Sequence, residues 1–593
     1  MKKTLLFSVA LAGLMLGSCS SSDDLNGGGN NTGSNQSGNG YVAFNINLPS
    51  QAGGSSRAND DFDAGMKSEY DVKDATLLIF EGSSESAAQF KGAYTLNTAP
   101  WKNNGQTDNI TTTSATIVKE IATPTSSDHC YALVVLNKND VFTVNENKSI
   151  TMKDATATFS GTYKQFAESL SEEDLTKNGF YMANAPLASK AGGATDPAGA
   201  EINTLANLDG KIKKTEFEAK SAPAQIYVER GVAKVTMQND PSTTPNKVDG
   251  STKPDDGTSS VGFEITSWVL DNTNKKTYLV RSTDGFGDWT SLFSNSTSLL
   301  AANQYRFVGS NAVADHLYRT YFAKDANFDQ TGNTAALAAG DLVTRSNPTF
   351  VDKFGNDNPQ YCFENTFDVA CQNDNMTTRV LIKAKLNSGE TFYVFNGDQN
   401  TIYPIDEVKN EIKKYFLIEN EAWIKANVTP ATGKSEVNGD DLDVEITDAA
   451  GKVSITSITF KSGVTVSSSA TVPTNYDEVL KRIGSIDEYK NGESYYFVRI
   501  KHFGDDMTPW NTDETPKPSN LVYPTDNQAG NYLGRYGVLR NNWYDIAVEG
   551  VKGLGSATVP AVTPTTDDEL KSYIAVKINV LSWAKRTQGA ILH

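Results

Sequence analysis

The sequence predicts a mainly all-β protein of the β-sandwich class, with a few short helices. Short runs of β-branched and aromatic residues recur along the chain, and clusters of Gly, Asn, Asp and Pro separate them. Apolar residues at helical spacing are scarce, and residues 166–175 and 478–483 are the plausible short helices. The length of 593 residues is enough for two to four such domains.

The predicted strands are spread over the whole chain. They cover residues 41–48, 75–80, 131–136, 226–237, 263–270, 379–386, 453–460, 494–500 and 544–551. We place a domain boundary near residue 224, because Ser221-Ala222-Pro223 precedes a strong new strand. The predicted β-sandwich domains are therefore residues 58–223 and 224–593. Residues 239–260 have low complexity and are expected to be an insertion or a long loop.

The first nineteen residues have the pattern of a bacterial export signal. Lys2 and Lys3 precede a short apolar run over residues 4–16. The sequence LGSC at residues 16–19 resembles a lipobox, in which small residues precede a cysteine that is cleaved and lipidated. An ordinary signal peptide with an incidental cysteine is the alternative. We predict a signal peptide over 1–19, lipidation (palmitate) at Cys19, and a precursor anchored in the outer membrane.

Composition limits the kinds of partner. The formal net charge of −18 argues against binding to nucleic acid or to an anionic membrane surface. Beyond the export signal, no apolar run approaches the length of a membrane span. We therefore expect the protein to contact the membrane only through the lipid of its precursor.

The sequence contains no motif typical of an enzyme. Its four histidines are not in a metal-binding spacing, and the nucleophile-elbow, P-loop and dinucleotide motifs are missing. The acidic cluster DDLD at residues 440–443 lacks the full spacing of a calcium loop and is expected to be a solvated hairpin tip. We expect no enzymatic activity, no catalytic residues, no cofactor and no metal.

Aromatic and cysteine residues leave two alternatives open. Four tryptophans could line a sugar-binding surface, although packing in a core or at its rim is the favoured explanation for each of them: Trp101, Trp289, Trp423 and Trp510. Cys362 and Cys371 could pair across a hairpin. Alternatively, these two and Cys130 are small buried apolar side chains.

The first predicted strand precedes a loop with a single arginine. Val42, Phe44, Ile46 and Leu48 share one face of this strand, and burying four such side chains is worth roughly 6–12 kcal/mol. Arg57 lies in the small-residue loop that follows, where it is a generic protease target or simply a linker residue. Cleavage after Arg57 would free the body from Cys19 and from this strand. We expect residues 20–57 to be a tether with a removable strand, whose loss opens an apolar groove for another chain.

The last predicted strand has the same kind of alternation. Its apolar residues are Ile574, Val576, Ile578 and Val580, and further apolar residues follow at Trp583, Ile591 and Leu592. This C-terminal segment could supply a strand to another molecule. The alternation could also belong to the subunit's own sheet, in which case residues 584–592 are the lent part.

Several sequence blocks, in this order and spacing, are similar to those of a known family. They are the lipobox at Cys19, the strand at 41–48, SSRANDD at 55–61, VKDATLLIF at 72–80, YVERGVAKV at 227–235, ITSWVLDNTNKKTYLV at 265–280, VLRNNWYDIAVEGVKGLG at 538–555 and IAVKINVLSW at 574–583. The chain resembles the fimbrillins of Bacteroidales, the lipoprotein-derived pilins of type V pili. The greatest likeness is to the main shaft subunit of the minor fimbria.

This resemblance implies a fold and an assembly pathway. The fold would be two tandem transthyretin-like β-sandwich domains. The precursor would reach the cell surface as a lipoprotein, and an arginine-specific surface protease would cut between Arg57 and Ala58. A C-terminal strand of a neighbouring subunit would then fill the groove in an extracellular fimbrium. The implied partners are copies of the chain itself, anchor and tip subunits, the protease, and host or bacterial receptors.

Three classes of function compete. The leading hypothesis is a structural fimbrial subunit for adhesion and colonisation, in the shaft rather than at the tip or the anchor. The second is a cell-surface glycan-binding lipoprotein, which would keep its lipid anchor and remain monomeric. The third is a surface hydrolase with two carboxylates in a cleft. The scarcity of histidine and the missing nucleophile motifs make it the weakest of the three.

Overall fold

A computed structural model describes residues 38–48, 66–98, 114–124, 128–191, 201–253, 260–283, 308–314, 316–328, 342–367, 373–502, 534, 536–562 and 574–582. Of residues 574–582 it describes the backbone. Predictions that concern Cys19, Arg57, Ala58, Cys371 and residues 583–593 lie outside the described residues.

Strands dominate the described chain, which confirms the mainly all-β class. Up to residue 230 they are β1 (Asn39–Asn47), β2 (Ala75–Gly82), β3 (Gln89–Thr95), β4 (Ser114–Ala122), β5 (His129–Leu136), β6 (Phe142–Val144), β7 (Ile150–Met152), β8 (Leu170–Ser171), β9 (Met182–Asn184), β10 (Leu187–Ala188), β11 (Ile202–Asn203), β12 (Ala206–Asn207) and β13 (Ala224–Arg230). Next come β14 (Ala233–Gln238), β15 (Phe263–Asp271), β16 (Thr273–Asn274), β17 (Thr277–Tyr278), β18 (Val308–Ala314), β19 (Leu317–Thr320), β20 (Leu342–Val343), β21 (Gln360–Cys362), β22 (Arg379–Leu386) and β23 (Phe392–Phe395). The last are β24 (Val428–Thr429), β25 (Leu442–Ala449), β26 (Lys452–Phe460), β27 (Thr465–Val466), β28 (Ile486–Tyr489), β29 (Glu493–Arg499), β30 (Asn542–Val551) and β31 (Ile574–Ser582).

The helices depart in part from the sequence prediction. They are α1 (Tyr163–Ala167), α2 (Glu216–Lys220), α3 (Ile405–Glu419), α4 (Glu421–Asn427) and α5 (Tyr476–Ile483). The helix predicted at 478–483 is confirmed within α5. The prediction at 166–175 was wrong, because α1 ends at Ala167 and the chain then forms β8. Among the described helices, none is long and apolar enough to cross a membrane.

The first sheet contains the first predicted strand. Its order is β3-β2-β5-β9-β13-β1-β4, and β12 also pairs with β5. Buried apolar residues of this sheet, of α1 and of the β6–β7 hairpin form one hydrophobic cluster. β1 is therefore an inner strand of this sheet, and β4 forms the edge beside it.

Two further sheets enclose a second hydrophobic cluster. Their orders are β21-β14-β30-β31 and β15-β22-β29, and residues of both sheets, such as Val235, Ile546 and Ile382, belong to the same cluster. The strand predicted over 226–237 is in fact two strands, β13 and β14. They are joined at Gly231-Val232, where the chain passes from the first sheet to the second.

A third cluster lies against helices. The sheet β23-β28-β26-β25 packs with α3, α4 and α5 around residues that include Val408, Ile412 and Phe416. The division into domains 58–223 and 224–593 stays a prediction. The first cluster extends to Leu279 and Val280, so the chain returns to it after β14.

Candidate assembly site

β1 has a neighbouring strand on each side. All nine of its residues pair antiparallel with β4, and Phe44–Asn47 pair parallel with β13, from Phe44 opposite Ala224 to Asn47 opposite Tyr227. Nearer its start, Tyr41 and Lys213 exchange two backbone hydrogen bonds of 2.8 Å. Taking β1 away would therefore leave unpaired backbone groups on both walls of an empty slot.

The inner face of β1 is part of the first hydrophobic cluster. Val42, Phe44 and Ile46 are 0% exposed, and Leu48 is 3% exposed. These are the four residues predicted to share one face. Their removal from the protein stays a prediction, because the cleavage position at Arg57–Ala58 lies outside the described residues.

The outer face of β1 is covered in its middle by a short helix. Ala43 points away from Val42 and Phe44 yet is only 1% exposed. The helix α2 packs against β1 and β4, and its Ala219 is 0% exposed. Thr215 and Glu218 form a capping box that holds the start of this five-residue helix. Ala43 and Ala219 are therefore both buried small residues in the region where α2 packs on β1.

The end of β1 near residue 47 is held by polar contacts. The Asn47 side-chain amide donates to the carbonyl oxygen of Ile226 at 3.2 Å. The Asn45 amide donates to Gln225 Oε1 at 3.2 Å, and Thr116 Oγ1 donates to Asn45 Oδ1 at 3.3 Å. These contacts fix the position of β1 along β13 and β4.

The end of β1 near residue 40 is closely packed against residues 212 and 213. A Cβ atom at Gly40 would lie 2.5 Å from Ile212 Cγ2 and 3.2 Å from the Lys213 carbonyl oxygen. A larger residue there would require Ile212 to move.

β31 pairs within its own chain. It is antiparallel to β30, with Ile578 opposite Ile546 and Val580 opposite Tyr544, and it is the last strand of its sheet. The described chain thus has β1 in its slot and β31 at the edge of a different sheet. A donor role for this segment stays a prediction.

A layer of buried charges between the first and second clusters was not found by sequence reasoning. In it, Lys234 Nζ lies 2.9 Å from Glu69 Oε1 and 3.9 Å from the centre of the Trp543 ring. Tyr361 donates to the same Glu69 oxygen at 2.5 Å, and Arg230 Nε donates to the Glu69 carbonyl at 2.8 Å. Glu69, Lys234 and Arg230 are all buried.

A second part of this buried charge layer joins two arginines. Arg281 Nε lies 2.8 Å from Glu229 Oε1, and Arg281 Nη2 donates to the Arg540 carbonyl at 2.9 Å. Arg540 Nε lies 3.2 Å from Glu364 Oε2, and Arg540 Nη2 donates to Thr277 Oγ1 at 3.0 Å. Each charge has an opposite charge or hydrogen-bond partners, as burial requires.

Burial raises the pKa of two carboxyls in this region, those of Glu229 in the layer and of Asp325. Asp325 accepts hydrogen bonds from the backbone of Thr366 and Asn327 and from the Asn274 side chain. Burial nevertheless dominates and raises the pKa of Asp325 to about 7. The signal in the sequence was that these polar residues lie inside otherwise apolar blocks, such as YVERGVAKV and VLRNNWYD. Nothing in the blocks shows which charges meet.

Other candidate residues have ordinary structural roles. Trp423 stacks on Phe460 at 6.4 Å, against the third cluster. Trp101, Trp289 and Trp510 lie outside the described residues. Asp441, in the acidic cluster, forms an ion pair with Lys434 at 2.6 Å at the start of β25.

The two described cysteines are buried, and no metal-binding group is found among the described residues. Cys130 and Cys362 are buried free thiols, and burial raises the pKa of each to about 12, so both are poor nucleophiles at neutral pH. Within the described residues, no group of three or more His, Cys, Asp or Glu side chains could hold a metal ion.

The last two strands lie within a segment that has known relatives. Residues 520–589 match the C-terminal region of the family of major fimbrial subunit protein type IV, fimbrillin. The fimbrillin match includes all of β30 and β31. No curated protein matches the sequence.

Three solved structures are distantly similar. A candidate cell adhesion protein from Parabacteroides distasonis is 12% identical with a TM-score of 0.35, over 92% of this chain and 98% of that chain. A candidate cell adhesion protein from Bacteroides eggerthii is 11% identical with a TM-score of 0.32, over 93% of this chain and 98% of that chain. A fimbrial assembly protein from Parabacteroides distasonis is 11% identical with a TM-score of 0.24, over 59% and 83%.

Proposed function

We propose that the chain is a fimbrillin that forms the shaft of a surface fimbria and acts in adhesion. It is exported as a lipoprotein through Cys19, cut after Arg57, and polymerised by donor-strand exchange. The observation that carries this proposal is the position of β1, an inner strand with four buried apolar residues that directly precedes the arginine loop in sequence. The fimbrillin match over residues 520–589 supports the same function.

Removal of β1 explains why a single cut can switch assembly on. With β1 in place, β4 and β13 are paired and the apolar slot is filled, so the slot cannot accept another strand. Once β1 leaves, the slot exposes backbone donors and acceptors together with an apolar floor. Another extended strand supplies both requirements, because its backbone completes the ladders and its alternate side chains fill the floor.

The mature subunit is therefore a polymer unit and its main partner is another copy of itself. Tip and anchor subunits of the same fimbria and an arginine-specific protease are further proposed partners. Among the described residues, no observation favours the glycan-binding alternative, since Trp423 packs against Phe460.

The test is N-terminal sequencing of the surface protein together with an unboiled gel, for the wild type, Arg57→Ala and Arg57→Lys. We expect the wild type to start at Ala58 and to form an SDS-resistant ladder. Arg57→Ala should remain a lipidated, folded monomer. Arg57→Lys is the matched control, because it keeps the positive charge but removes the guanidinium that an arginine-specific protease requires.

The results separate the proposal from its competitors. A wild-type protein that keeps its lipidated Cys19 and runs as a single band would overturn the cleavage step and favour an anchor or a monomeric lipoprotein. A normal ladder from Arg57→Ala would also overturn it. Assembly of Arg57→Lys at the wild-type level would show that the protease is not arginine-specific.

A further inference from the structure

We propose that the strand lent to the next subunit is β31 itself, and that it enters the slot in the direction and register of β1. This inference rests on the proposed strand exchange and adds the donor segment, its orientation and its residue-by-residue placement. It replaces the open choice between β31 and the residues that follow it.

The first observation is a repeat between the two ends of the chain. Residues 41–48 read YVAFNINL and residues 573–580 read YIAVKINV. With a constant offset of 532 positions, four of the eight residues are identical, namely Tyr, Ala, Ile and Asn. Three of the other four pairs are apolar in both copies, and the remaining pair, Asn45 and Lys577, is polar in both. The C-terminal segment is therefore a second copy of the strand that fills the slot.

The repeat supplies an apolar residue for each inward-facing position of the slot. Val42, Phe44, Ile46 and Leu48 are the buried residues of β1. Their counterparts at the same offset are Ile574, Val576, Ile578 and Val580. Each position that faces the hydrophobic cluster would receive an aliphatic side chain, so the apolar floor would be covered again.

The outer face decides the direction. Ala43 is buried on the face where α2 packs, and Asn47 donates to the Ile226 carbonyl at 3.2 Å. In the direction of β1, these two places receive Ala575 and Asn579, which are the same residue types. A reversed strand that kept the aliphatic residues inward would exchange the two. It would then place a polar amide beneath α2 and a methyl group where the hydrogen bond is made.

Backbone pairing also favours the transfer. In its own sheet β31 is an edge strand, and its described pairing is with β30 alone. In the slot it would be flanked by β4 along its length and by β13 over half of it, as β1 is. The move exchanges one ladder for two. One adjustment is needed, since Ser572 would fall at Gly40, where Ile212 has to give way.

The register can be tested with cysteine pairs between subunits. Tyr41 lies opposite Glu120 of β4, so in the proposed register residue 573 of the donor lies opposite Glu120 of the acceptor. A Glu120→Cys subunit is mixed after cleavage with a Tyr573→Cys subunit, and disulfide-linked dimers are scored on a boiled, non-reducing gel. The matched control partner is Leu581→Cys, which would face Glu120 only in a reversed strand. Each single variant alone controls for the native cysteines.

Each outcome has one meaning. Cross-linking with Tyr573→Cys and at least tenfold less with Leu581→Cys supports the proposal. The opposite preference overturns the direction. Neither cross-link, in mixtures that still form SDS-resistant ladders, overturns the proposed register, and the chain that ends at Ser582 then shows whether β31 is the donor. A cleaved wild-type protein that forms no ladder means that strand exchange itself fails, which is a failure of the proposed function.

Two further variants protect the test against misfolding. A chain that ends at Ser582 keeps the donor, so we expect it to polymerise normally, and a loss of ladders would assign the donor to residues 583–593. Ile578→Asp should abolish donation, whereas the matched outward substitution Lys577→Asp should not. Because its own slot is intact, Ile578→Asp should still be captured by a wild-type donor and should shorten wild-type polymers. A full-length ladder of Ile578→Asp alone would overturn the proposal.

Discussion

Buried charged residues lie beside the two main hydrophobic clusters and form ion pairs there. Glu229 and Lys234 lie on strands that were predicted from alternation, because alternation is a local property of the sequence. The ion partners were not predicted. Arg540 and Glu364 are 176 positions apart in sequence, and no local pattern connects them. A pattern of charges within apolar blocks indicates buried polar groups, but only the fold shows how they pair.

At this scale the raised pKa of Asp325 predicts a pH dependence. Its pKa is about 7 in the folded protein and near 3.8 when unfolded. The unfolded chain therefore ionises first, and this group's contribution to the free energy of unfolding falls as pH rises from about 4 to 7. The loss is on the order of 2–4 kcal/mol. Urea unfolding of the wild type and of Asp325→Asn at pH 5 and pH 7.5 measures it.

The difference in the free energy of unfolding between the wild type and Asp325→Asn reports the ionisation of Asp325 separately from that of all other carboxyls. Asp325→Asn removes the ionisation, so its stability relative to the wild type should improve as pH rises. Absolute stability is not the readout, because the amide changes the hydrogen bonds with Asn274 and Thr366. A constant difference between the two proteins at both pH values would contradict the assignment.

Elements differ in how well the sequence reports them. β1 has four apolar residues at period two and was predicted almost to its bounds. α3 was missed, although Val408, Ile412 and Phe416 recur every four residues and are fully buried. Its other positions are mostly charged, so the apolar stripe is narrow. The loop at Gly231-Val232 was also missed, because apolar residues continue through it from β13 to β14.

The strand β1 should be important in the precursor and irrelevant in the fibre. Phe44→Ala removes a fully buried ring and should lower the free energy of unfolding of the uncleaved protein by about 3–5 kcal/mol. Asn45→Ala, on the outer face, is the matched control and should cost about 1 kcal/mol. Thermal unfolding of Arg57→Ala chains with each substitution measures the effect.

Phe44→Ala and Asn45→Ala can also be placed on a chain that keeps Arg57, which tests whether β1 is present in the mature subunit. If cleavage removes β1 as proposed, both variants should assemble into ladders with the same stability in hot SDS as the wild type. A fibre weakened by Phe44→Ala would show that β1 stays in the mature subunit.

At the scale of the whole molecule, the buried charge layer joins the first and second clusters. Arg281 follows directly after Val280 of the first cluster, and Arg540 follows shortly after Val538 of the second. A joint made of buried, paired charges is costly to pull apart, because each separated partner would be left uncompensated. The two clusters should therefore unfold together.

Arg540→Ala tests this joint. It leaves Glu364 buried without its guanidinium, and we expect a loss of about 3–5 kcal/mol. Calorimetry should show the single transition of the wild type split into two. Lys425→Ala removes an exposed pair with Glu421 and is the matched control, with an expected change below about 0.5 kcal/mol. A single, unshifted transition in Arg540→Ala would mean that the layer does not couple the clusters.

The separation of β1 and β31 into different sheets has a consequence for self-capping. A chain that carries both a cavity, the slot left by β1, and a plug for it, the strand β31, could close on itself. The reason is that an intramolecular strand is present at high effective concentration. Here the two belong to clusters that the charged joint holds in a fixed relation. If strand exchange occurs as proposed, the plug of one molecule would therefore enter the cavity of the next. Such a head-to-tail contact would leave one unused cavity and one unused plug at opposite ends of every oligomer, so growth would have a polarity and no fixed length.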